Sequence, residues 1–222
     1  MNAPARTGFL SGMALLCTLA CRGDIVVNWL DEPLWLNADP PPIIGQPDIH
    51  DIDMDGNGTI DFSFSGIWHI SVDFRSENSN RYLIHPSPPP NTGGPVAALD
   101  SGFLIGADSS DNSLDWFGDN YDYWSGLMLN LDPGEAGEFW GQHAYIGVEF
   151  QMDNGVHYGW FDVEGGASGP YAVIRGWAYE STPGISIMAG AAAVPEPSTS
   201  MLLIGGLLTI GCTLRRAKAR RG

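Results

Sequence analysis

Phe150-Gln151-Met152-Asp153-Asn154-Gly155-Val156-His157-Tyr158 places apolar and aromatic residues on both sides of a central turn-forming triplet. Asn-Gly supplies the positive φ values that a tight turn needs, so the stretch predicts a β-hairpin. Outward from it, short runs rich in β-branched and aromatic residues recur at 25–30, 62–74, 82–85, 97–105, 145–152, 156–163, 172–179 and 185–188. Turn formers such as Glu164-Gly165-Gly166 and Thr182-Pro183-Gly184 separate them. No window between residues 24 and 193 carries a capped helical stripe, and those roughly 170 residues suffice for one domain with a sizeable core. The pattern predicts a single all-β domain, a β-sandwich or jelly roll. Pro40-Pro41-Pro42 and the segment 86–94, with Pro88-Pro89-Pro90, cannot join a sheet and predict extended surface connections. Residues 108–124 read as a further irregular insertion, and no internal repeat is present.

The motif richest in chemistry precedes the 62–74 run. Asp51-Ile52-Asp53-Met54-Asp55-Gly56-Asn57-Gly58-Thr59-Ile60-Asp61, counted from Asp53, gives oxygen side chains at positions one, three, five and nine from Asp53, Asp55, Asn57 and Asp61. Gly58 stands at six and Ile60 at eight, and Thr59 would contribute its backbone carbonyl. Alternate side chains can turn inward around a hard cation, glycine permits the bend, and an apolar residue pins the loop to a core, so this spacing predicts one weakly bound calcium. Position twelve is Phe64, where a helix-loop-helix hand has a bidentate Glu, and the residues from Phe62 alternate like a strand. The loop is therefore similar to calcium loops between strands of extracellular β proteins, with Asp51 as a spare ligand. An acidic solvated turn is the competing reading, since Asp, Asn and Gly favour turns for backbone reasons alone.

Charge is distributed unevenly. Between Asp24 and Glu196 the chain holds all 26 of its acidic residues against three arginines, Arg75, Arg81 and Arg175, a net −23 with no lysine. Such a surface repels nucleic acid and anionic lipid and attracts divalent cations. Cys17 and Cys21 lie near the start and Cys212 near the end. The intervening body therefore has no pair with which to form an internal disulfide.

Both ends read as processing signals. Residues 1–23 carry Arg6, an apolar stretch from Phe9 to Ala20, and small residues at Ala20 and Gly23, the layout of a secretory signal peptide cut by signal peptidase after either. Cys21 suggests a lipoprotein alternative, against which Thr18 stands where that signal wants leucine. Arg22-Gly23-Asp24, an adhesion tripeptide in spelling, straddles the cut. At the other end come Pro195-Glu196-Pro197, an apolar run over 201–214, and a basic cluster opened by Arg215-Arg216. Fourteen residues containing three glycines fall short of the roughly 20 that span a bilayer comfortably, and the basic end would stay cytoplasmic.

This tail, residues 194–222, resembles the PEP-CTERM sorting signal of Gram-negative bacteria. The resemblance implies transient inner-membrane anchoring through a hydrophobic helix at 201–214. It also implies cleavage near the motif by an exosortase and delivery to the cell surface or extracellular matrix. A second stretch, roughly 145–190, with His157-Tyr158-Gly159-Trp160 and Trp177-Ala178-Tyr179-Glu180, resembles a block shared by exported proteins of that class. It implies a recurrent β core and no activity.

Asp115-Trp116-Phe117-Gly118-Asp119-Asn120-Tyr121-Asp122-Tyr123-Trp124 packs aromatics and carboxylates into one loop. Trp116, Tyr121, Tyr123 and Trp124 would stack on sugar rings of an exopolysaccharide; alternatively Trp116, Phe117 and Trp124 plug the end of the sandwich. An enzyme is the weaker class. His50, His69, His85, His143 and His157 lack metal-ligand spacing, there is no Gly-x-Ser-x-Gly elbow or phosphate loop, and no carboxylate pair is singled out for glycoside hydrolysis. The expectation is an exported structural or matrix-associated β protein without catalytic residues, with a carbohydrate-binding module as the alternative.

Overall fold

The computed structural model describes residues 23–36, 47–67, 71–86, 94–110, 113–118, 125–129, 137–169 and 171–192. Within them the fold is all-β, as the sequence predicts, and its sheets are antiparallel; a 3-10 turn at Ala107–Ser109 is the one helical element among the described residues. A six-stranded sheet runs in the order β1 (Ile25–Leu36), β11 (Ala172–Glu180), β10 (Gly155–Gly165), β9 (His143–Met152), β5 (Arg81–Ile84), β7 (Asp115–Phe117). A four-stranded sheet runs β2 (Asp48–Ile52), β3 (Phe62–Ile67), β4 (Ser71–Ser76), β8 (Ser125–Leu129). A two-residue pair, β6 (Leu104–Ile105) with β12 (Ile187–Met188), is separate.

The hairpin forms where the sequence places it, joining β9 to β10 with Met152 opposite Gly155. Its turn residues are Asp153 and Asn154, and only Gly155 has positive φ, at 133°. Asn154 keeps an ordinary backbone and instead offers its side-chain Oδ1 to His157 Nε2 at 2.8 Å.

Three other expectations change. The 62–74 run is two strands folded on each other, with Phe64 opposite Phe74. The 97–105 run is mostly not a strand: it crosses the outside of the large sheet, touching it through an isolated bridge between Leu99 and Tyr145. The 108–124 insertion contains β7, which pairs Leu83 with Trp116. The proline-rich stretches at 40–42 and 88–90 lie outside the described residues.

Alternation along the strands explains the packing, because successive side chains point to opposite faces. From β10, Phe161 and Val163 face the four-stranded sheet, whose inner face presents Phe62, Phe64, Val72 and Phe74, all of them buried. Phe161 is the meeting point. Its ring lies 5.5 Å from Phe62, 5.3 Å from Phe64 and 5.6 Å from Phe74, each at a steep edge-on angle. Such edge-to-face arrangements suit the ring quadrupoles and fix how the two sheets sit on one another. On the opposite face of the large sheet, Tyr158, Trp160 and Ala178 are covered by Ala97, Leu99, Ile105, Ile187 and Ala189.

The four-stranded sheet carries one costly group. Asp73 on β4 is 9% exposed, and its Oδ2 accepts a hydrogen bond from Ser71 Oγ at 2.6 Å. Burial raises its pKa above 3.8, and the Ser71 bond only partly opposes that. The folded chain thus binds this proton more tightly than the unfolded one. The stability so gained is complete below the unfolded value and is lost as pH rises through the raised folded value. Asp73→Asn is therefore expected to be more stable than the parent at pH 7 and to show no such gain at pH 3, measured by urea midpoints. An equal difference at both pH values would sink this account.

At the free edge of the large sheet, β1 loses its register. Trp29 pairs with Gly176 and Leu34 with Ile174, so Leu30-Asp31-Glu32-Pro33 stands opposite the single residue Arg175. Pro33 has no N–H to give a ladder, which confines it to such an edge irregularity.

Candidate metal centre

The loop between β2 and β3 is an ordered turn built by its own side chains. Asp53 Oδ1 accepts from the backbone N–H of Gly56 at 2.8 Å and of Asn57 at 3.1 Å, and its Oδ2 accepts from Gly58 N–H at 2.6 Å. Asp55 accepts from Asn57 through both the backbone and Nδ2, each at 3.0 Å. Asn57 Oδ1 in turn accepts from Thr59 N–H at 2.7 Å. Gly58 has φ of 90°, a region that penalises any Cβ, as the sixth position of the motif requires.

This wrapping brings ligand oxygens of Asp53, Asp55 and Asp61 within 4.8 Å of one another. Two oxygens each ~2.4 Å from one calcium ion stand at most ~4.8 Å apart, so the three fit a shared cation. Asn57 and Thr59 belong to the same turn and are exposed, whereas Asp61 is 3% exposed. Burial raises the Asp61 pKa; hydrogen bonds from Met54 N–H at 2.8 Å and Asn80 Nδ2 at 3.0 Å lower it, and Asp55 and Asp53 raise it further. Three carboxylates so close repel each other, and a divalent cation removes that repulsion.

Two parts of the motif act differently from expectation. Asp51 lies on β2, where its Oδ1 accepts from Ser63 Oγ at 2.7 Å, so it is tied to the neighbouring strand and stands apart from the cluster. Ile60 is only half-buried; the loop is pinned instead by Met54, 1% exposed, whose carbonyl accepts from Trp177 Nε1 at 3.1 Å. Asn80 is the second residue that sequence reasoning misses. It is 2% exposed, donates to both the carbonyl and the carboxylate of Asp61, and accepts from Gln151 N–H at 2.9 Å. It thereby links the loop to β9. No sequence signal separates Met54 from the other residues between the aspartates, and Asn80 reads as one more polar residue in a turn.

No family model, curated protein or solved structure matches this chain.

The remaining sequence-predicted positions are scattered. Trp116 sits half-buried on β7, its ring 6.0 Å from Tyr158 and under Arg81, whose Cζ lies 5.9 Å from the ring centroid. It is packed onto the outer side of the large sheet, and Phe117 packs against the inter-sheet core. Tyr121, Tyr123 and Trp124, the sorting motif Pro195-Glu196-Pro197, Arg215-Arg216 and the signal region 1–22 lie outside the described residues. Among the described residues no helix is long and apolar enough to cross a membrane. Each arginine of the body is engaged by carboxylates: Arg75 with Glu77 at 2.7 Å, Arg81 with Glu149 at 2.5 Å, and Arg175 with Glu164 and Asp162.

Proposed function

We propose that the chain is an exported β-sandwich of structural or matrix-associated type, sorted through the PEP-CTERM-like tail at 194–222 and steadied at one loop by calcium. The oxygen cluster of Asp53, Asp55 and Asp61 carries the reading of the body. A loop shaped to hold a hard cation serves a protein that works where calcium is plentiful, and a site of this kind needs only weak affinity there. Contacts between Phe161 and the three phenylalanines of the smaller sheet support the sandwich. The body's net −23 supports an interaction partner other than nucleic acid or anionic lipid.

In this reading the body is the delivered cargo and residues 1–23 and 194–222 are removed, with signal peptidase and an exosortase as transient partners. No residue is assigned a catalytic role. The test is expression of the full chain in a Gram-negative host that has an exosortase, followed by mass spectrometry of the surface and medium fractions. The expected product begins at Cys21 or Asp24 and ends near Pro195-Glu196-Pro197. An exported product that keeps Arg215-Arg216, or a product confined to the cytosol, overturns the sorting reading.

A further inference from the structure

Among the described residues, part of the outer face of the large sheet is left uncovered, and it is furnished with aromatic rings. Trp29 and Trp35 both lie on the outer side of β1, and they are 55% and 53% exposed. Trp29 is nonetheless held in place: its ring lies 5.8 Å from that of Trp160, which is fully buried, and it covers Gly176, where an added Cβ would come within 2.8 Å of Trp29 Cε3. Glycine at 176 thus makes the seat on which one side of the indole rests while the rest stays in water. Trp35 stands opposite Val173, three residues along β11 from Gly176, so the two indoles are spaced by roughly 10 Å of strand.

Between and beside the rings the same face carries fixed polar groups. His143 Nε2 donates to Asp162 Oδ1 at 2.9 Å, and Arg175 Nη1 lies 3.7 Å from the same oxygen while its Nη2 bonds Glu164. Asp162 is almost fully buried and orients His143 and Arg175, and Arg175 in turn holds Glu164; the side chains remain 44% exposed for His143, 40% for Arg175 and 47% for Glu164. Contacts run without a break from Trp29 through Trp160 and Tyr145 to His143. We infer that this face, Trp29 and Trp35 with His143, Asp162, Glu164 and Arg175, binds an extended neutral glycan.

The chemistry of the face selects that ligand. Indole faces take the C–H surfaces of pyranose rings, and pre-positioned guanidinium, imidazole and carboxylate groups exchange hydrogen bonds with hydroxyls without first being ordered. Acids and bases here are paired, so the face has no excess positive charge with which to hold an anionic polymer against a body of net −23. The site differs from the Trp116 loop, and the inference rests on neither export nor calcium.

The test uses the full chain in mild detergent with saturating calcium, titrated with neutral gluco-, xylo-, manno- and galacto-hexasaccharides and with alginate, followed by tryptophan fluorescence and calorimetry. At least one neutral hexasaccharide is expected to bind at about 10 mM or below, with Trp29→Ala and Trp35→Ala each weakening it by about tenfold. Arg175→Gln should weaken it too, and Trp116→Phe should leave it unchanged. Melting curves of each variant, and Trp29→Phe with an intermediate affinity, separate lost contact from lost folding. The inference is overturned by silence across the neutral panel, by binding that ignores both indole variants, by binding of alginate alone, or by a concentration-dependent dimer that the two variants abolish in the absence of sugar binding.

Discussion

Phe161→Ala is expected to lose about 3–5 kcal/mol of stability, the range for emptying a large aromatic site in a packed interior. Domains of this size are held by about 5–15 kcal/mol in total, so the variant sits at or near the folding threshold. Phe161 has no solvent exposure and is the ring on which Phe62, Phe64 and Phe74 of the opposite sheet converge. Truncating it leaves those three rings facing a void that the two sheets, each fixed by its own ladder, cannot close by a small shift. Phe161→Leu fills most of the volume and should cost much less. Urea unfolding followed by tryptophan fluorescence reads both variants. Near-identical midpoints for Phe161→Ala and the parent would show that the sheets are held together elsewhere.

Calcium is expected to be the second large lever. A site with a dissociation constant on the order of 0.1 mM, as in extracellular modules, contributes about 2.7 kcal/mol at about 10 mM free ion. In a domain of this size that is a rise in Tm of roughly 5–10 °C. Chelation should reverse it, and the cation should bind more weakly as pH falls, because Asp61 holds its proton above the ordinary carboxylate range. Asp55→Asn is the cleanest variant: the side chain is partly exposed and accepts its hydrogen bonds from Asn57 within the same turn, so the fold is expected to survive its loss. The expected result is at least a tenfold loss of affinity, about 1.4 kcal/mol, with an unchanged Tm in chelator. Calorimetry showing no heat, together with a Tm that does not move at millimolar calcium, would leave the loop as a hydrogen-bonded turn.

The strands most legible in the sequence are long apolar runs. β9 alternates along its length, β10 and β11 are buried along most of theirs, and the bounds of all three lie within about two residues of the expected runs. Shorter strands were hidden by composition. β2 reads as an acidic loop because Asp48, His50 and Asp51 are polar and only Ile52 is buried, so its existence depends on the partner strand β3. The 97–105 run shows the opposite error: its apolar residues are needed to cover the large sheet, and burial without ladder pairing leaves the same residue types as a strand. At the candidate metal centre the clustering of Asp53, Asp55 and Asp61 was legible from their spacing, since those positions are set by local geometry. Met54 and Asn80 hold the loop by contacts to Trp177 and Gln151, far away in the chain, and a local pattern carries no trace of such partners.

The broken register of β1 has a consequence for life at high concentration. A long terminal strand with a regular row of free amides and carbonyls invites a neighbour's strand to zip alongside, and the process repeats into fibrils. Here two acids and an amide-less proline interrupt that row midway, opposite Arg175. Copies of the chain can therefore be brought close together while each remains a separate folded unit.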